Sequence, residues 1–180
     1  MSETNFYTAT IPGITKSVEA FTGIIDKAVT DAAKKATSRR PASYFEERLL
    51  QSQLIFDQFP LLMQIQRVSD NAKNGAARLA GIEAPPFEDN EETFAELKVR
   101  LQKTVDFLKT IKPEEVVGQE ERHITLPYWD GKHLTAFEYA TSYLIPNFYF
   151  HLATAYSILR ANGIEVGKDD YVGPLPLKNV

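Results

Sequence analysis

Residues 135–163 form a long helical pattern that is apolar on nearly every side. At about 100° per residue, one face carries a mainly apolar set of side chains: Phe137, Ala140, Leu144, Asn147, Phe148, His151, Ala155 and Ile158. A second stripe is aromatic where a surface helix is normally charged, with Tyr143, Pro146, Phe150 and Ser157. A helix of this kind must be covered on both sides. We therefore predict that other helices, or a second subunit, pack against it.

Three further stretches repeat apolar residues at helical spacing, and they predict amphipathic helices over residues 15–37, 57–81 and 90–111. An extended lead-in, residues 1–12, is expected before the first of them. The spacing within residues 43–53 adds a short helical turn. With the stretch at 135–163, the chain has four long helices.

Several residues mark the expected helix ends. Thr15, Asp57 and Asn90 precede or begin the three amphipathic stretches and suit helix N-termini. Ser43, with Glu46 three residues later, has capping-box spacing. Gly81 is expected to close the second long helix in a left-handed conformation.

The β signal lies between the third and fourth long helices, in residues 122–135. Asp130-Gly131 between alternating runs is typical of a hairpin turn. Pro127 restricts the first strand to an edge, so we expect a two-stranded flap. The turn-rich end after Gly163 is interpreted as a tail. These elements predict an all-α fold, a four-helix bundle with a small β-hairpin, in a single domain spanning residues 1–180.

Composition narrows the functional classes. The 180 residues are 43% hydrophobic, which is enough for one sizeable core. There is no cysteine, so disulfide and thiolate chemistry are excluded, and a net charge of −4 argues against a nucleic-acid partner. No run approaches the roughly 18 apolar residues of a membrane span, and the N-terminus lacks a signal-peptide pattern. We expect a cytoplasmic protein with no membrane partner.

His151 is the strongest chemical candidate, because it lies among apolar neighbours on the fourth helix. Burial there would hold the imidazole neutral and lower its pKa. One interpretation is a core histidine satisfied by hydrogen bonds. The other is a general acid/base at a cavity between helices. The pattern leaves both open.

Asn147 lies one helical turn before His151, on the same face. Pro146 removes a backbone donor and clashes with the carbonyl of Ser142, which predicts a kink or widened turn beside both residues. On the second helix, Gln64 is the most interior large polar side chain. Among the aromatic residues, Tyr143, Phe148 and Trp129 are candidates to line an apolar substrate pocket, and packing in the core is the alternative for them.

His123 and His133 can face each other across the hairpin. A ligand role there competes with the simpler interpretation of exposed polar side chains. No two histidines have the i,i+4 spacing that would place a metal on one helix face. Phosphate loops, Ser/His/Asp order and HExxH are also missing from the sequence.

Several segments carry a family resemblance. They are Leu134-Thr-Ala-Phe-Glu-Tyr, Pro146-Asn-Phe-Tyr-Phe-His, Asp57-Gln-Phe-Pro-Leu with Gln64-Ile-Gln, and Gly167-Lys-Asp-Asp-Tyr. Together they resemble an uncharacterised family within the DinB/YfiT-like superfamily, over most of residues 48–173. The string from Pro146 to His151 is the most specific part.

That resemblance implies a four-helix bundle, often a homodimer. It also implies, for many members, a divalent metal held by three histidines and, for some, thiol-dependent transferase or isomerase activity. The positions that match the three histidines here are Asn147, His151 and one near Gln64. Two of the three are therefore amides, which are weak ligands for zinc or nickel. We accordingly expect no metal and no cofactor.

The leading hypothesis is a small-molecule enzyme or binding protein with an apolar pocket between the second and fourth helices. In it His151 is the acid/base, while Asn147 and Gln64 orient a carbonyl or hydroxyl. The chemistry would be a metal-independent isomerisation, elimination or cyclisation of an apolar metabolite. One alternative is a metal- and thiol-dependent transferase or isomerase. Another is a non-catalytic dimeric helical protein, and a homodimer is expected in any case.

Overall fold

A computed structural model describes residues 4–178. The elements, in chain order, are α1 (Phe6–Lys35), α2 (Ala42–Leu50), α3 (Leu61–Ala80), α4 (Phe94–Thr110), α5 (Pro113–Val116), β1 (His123–Ile124), β2 (Leu134–Thr135), α6 (Ala136–Glu138), α7 (Ile145–Ala161) and α8 (Lys168–Val172). A π-helical segment, Tyr139–Leu144, joins α6 to α7 without a break. The predicted 135–163 helix is therefore one continuous rod built from α6, the π segment and α7.

Four long helices form the bundle, as the periodicity predicts. α1 packs on α4, α4 on α3, α3 on α7, and α7 returns to α1. Their inner faces bury a continuous apolar core, in which Val18, Ile65, Leu101 and Phe148 are fully inaccessible to solvent. Burial of these stripes is the main favourable contribution to folding. No helix within residues 4–178 has the length and apolar character that crossing a bilayer requires.

The first helix begins earlier than predicted. α1 starts at Phe6, and Asn5 is its N-cap, accepting a hydrogen bond from the Thr8 N–H at 3.0 Å. The prediction of an extended lead-in is therefore wrong for residues 6–12, while residues 1–3 lie outside the described part of the chain. Pro12 sits inside the helix. Core burial of Ile11 and Ile14 outweighs the local preference of proline against helix interiors.

Other helix starts are displaced by a few residues from the predicted caps. α3 follows Pro60 rather than Asp57, and α2 follows Pro41 with no side-chain cap, so the Ser43 capping box is wrong. α4 is capped by Thr93, not Asn90: its hydroxyl accepts from the Glu96 N–H at 3.2 Å. Gly81 adopts the predicted left-handed conformation, with φ of 69°.

The hairpin is confirmed but is much shorter than predicted. β1 and β2 pair antiparallel over two residues each, with Ile124 opposite Leu134. Asp130 and Gly131 both have positive φ, 50° and 77°, as the turn prediction requires. Pro127 begins a 3₁₀ turn that ends at Trp129 instead of extending an edge strand.

The predicted widened turn beside Asn147 is confirmed as the π segment. Pro146 has no N–H, and its ring would collide with the carbonyl four residues earlier. The helix is wider at this point, and the Ile145 N–H donates a hydrogen bond to the Ala140 carbonyl five residues earlier. Gly75 of α3 faces this region, and a Cβ there would collide with the Leu144 side chain. The missing side chain therefore allows α3 and the widened rod to approach closely.

Candidate functional site

Polar residues meet across the packed interface of α3 and the long rod, and we call this line the α3–α7 seam. On α3 it uses positions spaced by seven residues, which share one helix face. Its three hydrogen bonds join Gln64 to His151 (2.7 Å), Asn71 to Asn147 (2.6 Å) and Arg78 to Tyr139 (3.2 Å). α3 and the rod run antiparallel, so the residue numbers of the seam increase along α3 in the direction in which they decrease along the rod. The seam is thus a ladder of three polar contacts.

The Gln64–His151 contact has a defined polarity. Gln64 is 1% exposed, and its amide nitrogen donates to the Phe59 carbonyl at 3.1 Å. The Gln64 carbonyl oxygen therefore faces His151 and accepts a hydrogen bond from the protonated Nδ1. In the neutral ring, the lone pair is consequently on Nε2. Within residues 4–178, Nε2 has no hydrogen-bond partner.

His151 is held in the neutral form. Partial burial lowers its pKa, and the positive charge of Arg67 lowers the pKa further. Arg67 is fixed nearby by two carboxylates, Asp70 at 3.2 Å and Asp89 at 2.9 Å. A neutral imidazole with one committed nitrogen and one unbonded nitrogen has the electronic state of a general base.

The Asn147 side chain hydrogen-bonds to Asn71 of α3 rather than to Gln64 or His151. The Asn147 side-chain amide nitrogen donates to the side-chain oxygen Oδ1 of Asn71. The Asn71 side-chain nitrogen in turn donates to the backbone carbonyl of Arg67 at 2.8 Å. Sequence reasoning missed Asn71. The signal was its spacing of seven residues from Gln64 on the same helix face.

Trp129 and Tyr143 come together in a separate aromatic cluster near the hairpin. Their ring centroids lie 5.5 Å apart, and Tyr143 stacks on Tyr139 at 5.6 Å. The hydroxyls of Tyr128 and Tyr143 lie 2.5 Å apart. Burial raises the pKa of Tyr143 to about 12, and the hydrogen bond with Tyr128 raises it as well, so this hydroxyl remains protonated at neutral pH.

Phe148 and His151 have different surroundings although they lie on the same helix face. Phe148 is 0% exposed and packs edge-on to Tyr149, with ring centroids 5.0 Å apart. The Phe148 side chain therefore lies in the core and does not line a solvent-accessible substrate pocket. His151 is half-buried and packs against Phe150, which is 54% exposed.

Open clefts of about 400 to 500 Å³ lie elsewhere in the described part of the molecule. One of about 500 Å³ lies between α2 and the start of α4, and one of about 460 Å³ borders residues 86–91. A third, of about 400 Å³, is lined by hairpin residues that include Trp129 and His133. Gln64, Asn147 and His151 line none of the three. The apolar pocket predicted between α3 and the rod is therefore not one of these clefts.

The seam does not fit the three-histidine metal site that the DinB resemblance implies. Its donors near His151 are one imidazole and the amides of Gln64, Asn71 and Asn147, and the amides are engaged with one another or with His151. Neutral amides bind zinc and nickel weakly. Across residues 4–178, no group of three or more His, Asp or Glu side chains is arranged to hold a metal ion.

The fold is that of a helical-bundle protein in which a histidine–glutamine hydrogen bond joins two long antiparallel helices. A family model described as a domain of unknown function, DUF1993, matches residues 6–172, and the chain belongs to that family. The crystal structure of a DinB family member protein from Shewanella denitrificans is similar over 97% of this chain and 95% of its own, with 39% identity and a TM-score of 0.89. A comparison with curated proteins finds no match.

Proposed function

We propose that the chain is a metal-independent enzyme for a small apolar molecule, with His151 as its general acid/base. The observation that carries the proposal is the 2.7 Å bond between His151 Nδ1 and Gln64. It holds one tautomer and leaves Nε2 to accept a proton from carbon or oxygen of a ligand. Isomerisation, elimination and cyclisation all require such a shuttle.

The electrostatics support proton abstraction next to a carbonyl. The ring is neutral at pH 7, and its Nε2 lone pair is therefore available, because the pKa of His151 lies below the usual value of about 6.5. Arg67 is close enough to His151 to influence that pKa. The same positive charge would stabilise an anion that develops on a substrate oxygen. Asn147 would orient a hydroxyl or carbonyl beside it.

The surroundings favour an apolar ligand. Phe150 and Phe59 are 54% and 46% exposed, and they flank His151 and the Gln64 anchor respectively. Tyr143 lies one turn before Asn147 on the rod, so with Trp129 it would contact the far end of a longer ligand. Phe148 takes no part in this arrangement, because it is buried.

Hydrogen–deuterium exchange tests the proposal at the level of reaction class. A panel of apolar ketones and hydroxyketones is incubated with protein in D₂O, and exchange next to the carbonyl is followed by NMR. We expect exchange of at least one compound, and we expect His151→Gln to slow it by a factor of about 10² or more. Leu177→Ser, far along the tail, is the control and should retain full exchange. Equal rates for His151→Gln and wild type would remove His151 from the chemistry.

The pH dependence of His151 provides a second prediction. By histidine NMR, we expect its neutral form to carry the proton on Nδ1 and its pKa to lie below about 6.5. Arg67→Gln should raise that pKa, since a nearby positive charge is removed. The unfolded chain binds this proton more tightly than the folded one. His151 therefore makes the free energy of unfolding fall as the pH drops below about 6.5, and a pKa above that value contradicts the assignment.

A homodimer is proposed as well, and a non-catalytic dimeric protein remains the alternative function. Large apolar side chains stay exposed in the loop before α3 and on the rod, at Ile55, Phe56, Phe59 and Phe150. Light scattering during gel filtration should give twice the 20.3 kDa chain mass. Phe56→Ser with Phe150→Ser should shift the protein to monomer, whereas Leu177→Ser, equally apolar and exposed, should not. A monomeric wild type at micromolar concentration rejects the dimer.

A further inference from the structure

Two histidines outside the seam are stacked on the hairpin. The rings of His123 and His133 lie 3.8 Å apart between centroids, with 24° between their planes. The strand register explains the contact. His123 pairs with Thr135, so His133 occupies the diagonal position two residues away on the same face. Both side chains are exposed.

The ring nitrogens of this histidine pair have no hydrogen-bond or ion-pair partner within residues 4–178. Two nitrogens that bind one metal ion at 2.0–2.1 Å are separated by roughly 3 Å. The centroid distance of 3.8 Å places the two imidazoles within reach of one ion. Because the nitrogen lone pairs lie in the ring planes, both side chains would turn out of the stack so that two lone pairs converge on the ion.

The hairpin keeps the two histidines together. The Thr125 hydroxyl donates to the Lys132 carbonyl at 2.8 Å, which ties the two arms beyond the strands. The Lys132 N–H in turn donates to the Trp129 carbonyl at 2.9 Å. These bonds hold the backbone around both histidines in place, so binding an ion would mainly require ordering of the two imidazole side chains.

We propose that His123 and His133 form a binding site for a borderline transition-metal ion, with Cu²⁺ preferred over Ni²⁺ and Zn²⁺. Imidazole suits these metals, and copper leads the affinity order for nitrogen ligands. Mg²⁺ and Ca²⁺ require oxygen ligands and are excluded. Two imidazoles leave further coordination positions, and His133 also lines the 400 Å³ hairpin cleft. The ion would therefore lie at the rim of that cleft, independent of the site at His151.

Trp129 provides an internal probe, because it is the single tryptophan of the chain and lines the same cleft. Tag-free, chelator-treated protein is titrated with Cu²⁺ while tryptophan fluorescence is recorded. We expect saturable quenching at one ion per chain, and no response to Mg²⁺. Calorimetry with Zn²⁺ should show weaker binding to the same site.

Matched variants decide whether the histidine pair is responsible. His123→Asn and His133→Asn should each weaken Cu²⁺ binding by at least about tenfold, whereas His151→Asn should leave it unchanged. Circular dichroism checks that each variant is folded, which is expected for exposed positions. Unaltered quenching in a variant that combines His123→Asn with His133→Asn, or quenching that His151→Asn abolishes, overturns the proposal. Neither result bears on the acid/base role of His151, which the exchange experiment tests separately.

Discussion

Replacing Arg100 with methionine is expected to lower the free energy of unfolding by about 3 to 5 kcal/mol. The Arg100 side chain is only 2% exposed and pairs with three carboxylates: Asp70 at 2.7 Å, Asp89 at 2.9 Å and Glu91 at 3.0 Å. Methionine fills a similar volume but leaves these partners without their central cation. The Asp70 and Asp89 carboxylates retain some solvent contact, which favours the lower end of the range.

This ion network also positions the candidate site. Asp70 and Asp89 each bind both Arg100 and Arg67, and Arg67 is the cation that lowers the pKa of His151. Arg100 additionally donates to Ser69 at 3.1 Å and to the Glu88 carbonyl at 3.0 Å. The loop between α3 and α4 is thereby tied to both helices.

Urea unfolding followed by circular dichroism measures the Arg100 effect. Lys109→Met is the matched control, because it breaks a pair with Glu19 at 2.7 Å in which both side chains are about half exposed. Its unfolding midpoint should remain that of the wild type, since exposed pairs contribute little. An Arg100→Met variant as stable as the Lys109 control would show that the network is dispensable.

Replacing Phe148 with alanine is expected to cost about 3 to 5 kcal/mol of unfolding free energy. Its ring is 0% exposed, so truncation removes buried apolar area and leaves a cavity in a close-packed core. The same measurement on Phe150→Ala provides the control two residues along the rod. Phe150 is 54% exposed, so its truncation should cost much less.

The Phe148 variant also separates packing from ligand contact. Exchange activity should persist in the fraction of Phe148→Ala that remains folded, because this ring does not reach the surface at His151. A stable, folded Phe148→Ala protein that has lost activity would contradict this and place the ring in a ligand site. Activity is therefore compared at a temperature where circular dichroism shows both proteins to be native.

Much of the bundle could be predicted because its signals are local. Helical periodicity marks the four long helices, Gly81 supplies a left-handed C-terminus, and Pro146 forces a widened turn in the rod. Helix starts are harder to predict, because the chain offers several capping residues close together. Thr93 rather than Asn90 is the N-cap of α4, because Thr93 and Glu96 form a reciprocal pair of hydrogen bonds.

The candidate site was predictable in part. His151 and Gln64 were singled out by their place on apolar helix faces, with the family resemblance pointing to the same pair. Their direct hydrogen bond depends on the axial register between α3 and the rod. That register also brings Asn71 to Asn147, a contact that neither helix indicates by itself.

Periodicity and composition act within a few turns of chain, so they are enough to predict a helical bundle with one histidine on the inner face of its most apolar helix. The folded structure is needed to show which side chains meet, because partners on separate helices depend on register, packing and the widened turn before Pro146. It placed Phe148 in the core and Arg67 near His151. It also stacked two hairpin histidines 3.8 Å apart. Long-range contacts of this kind depend on how the apolar side chains of all the helices pack together in the core. A single stretch of sequence does not carry that information.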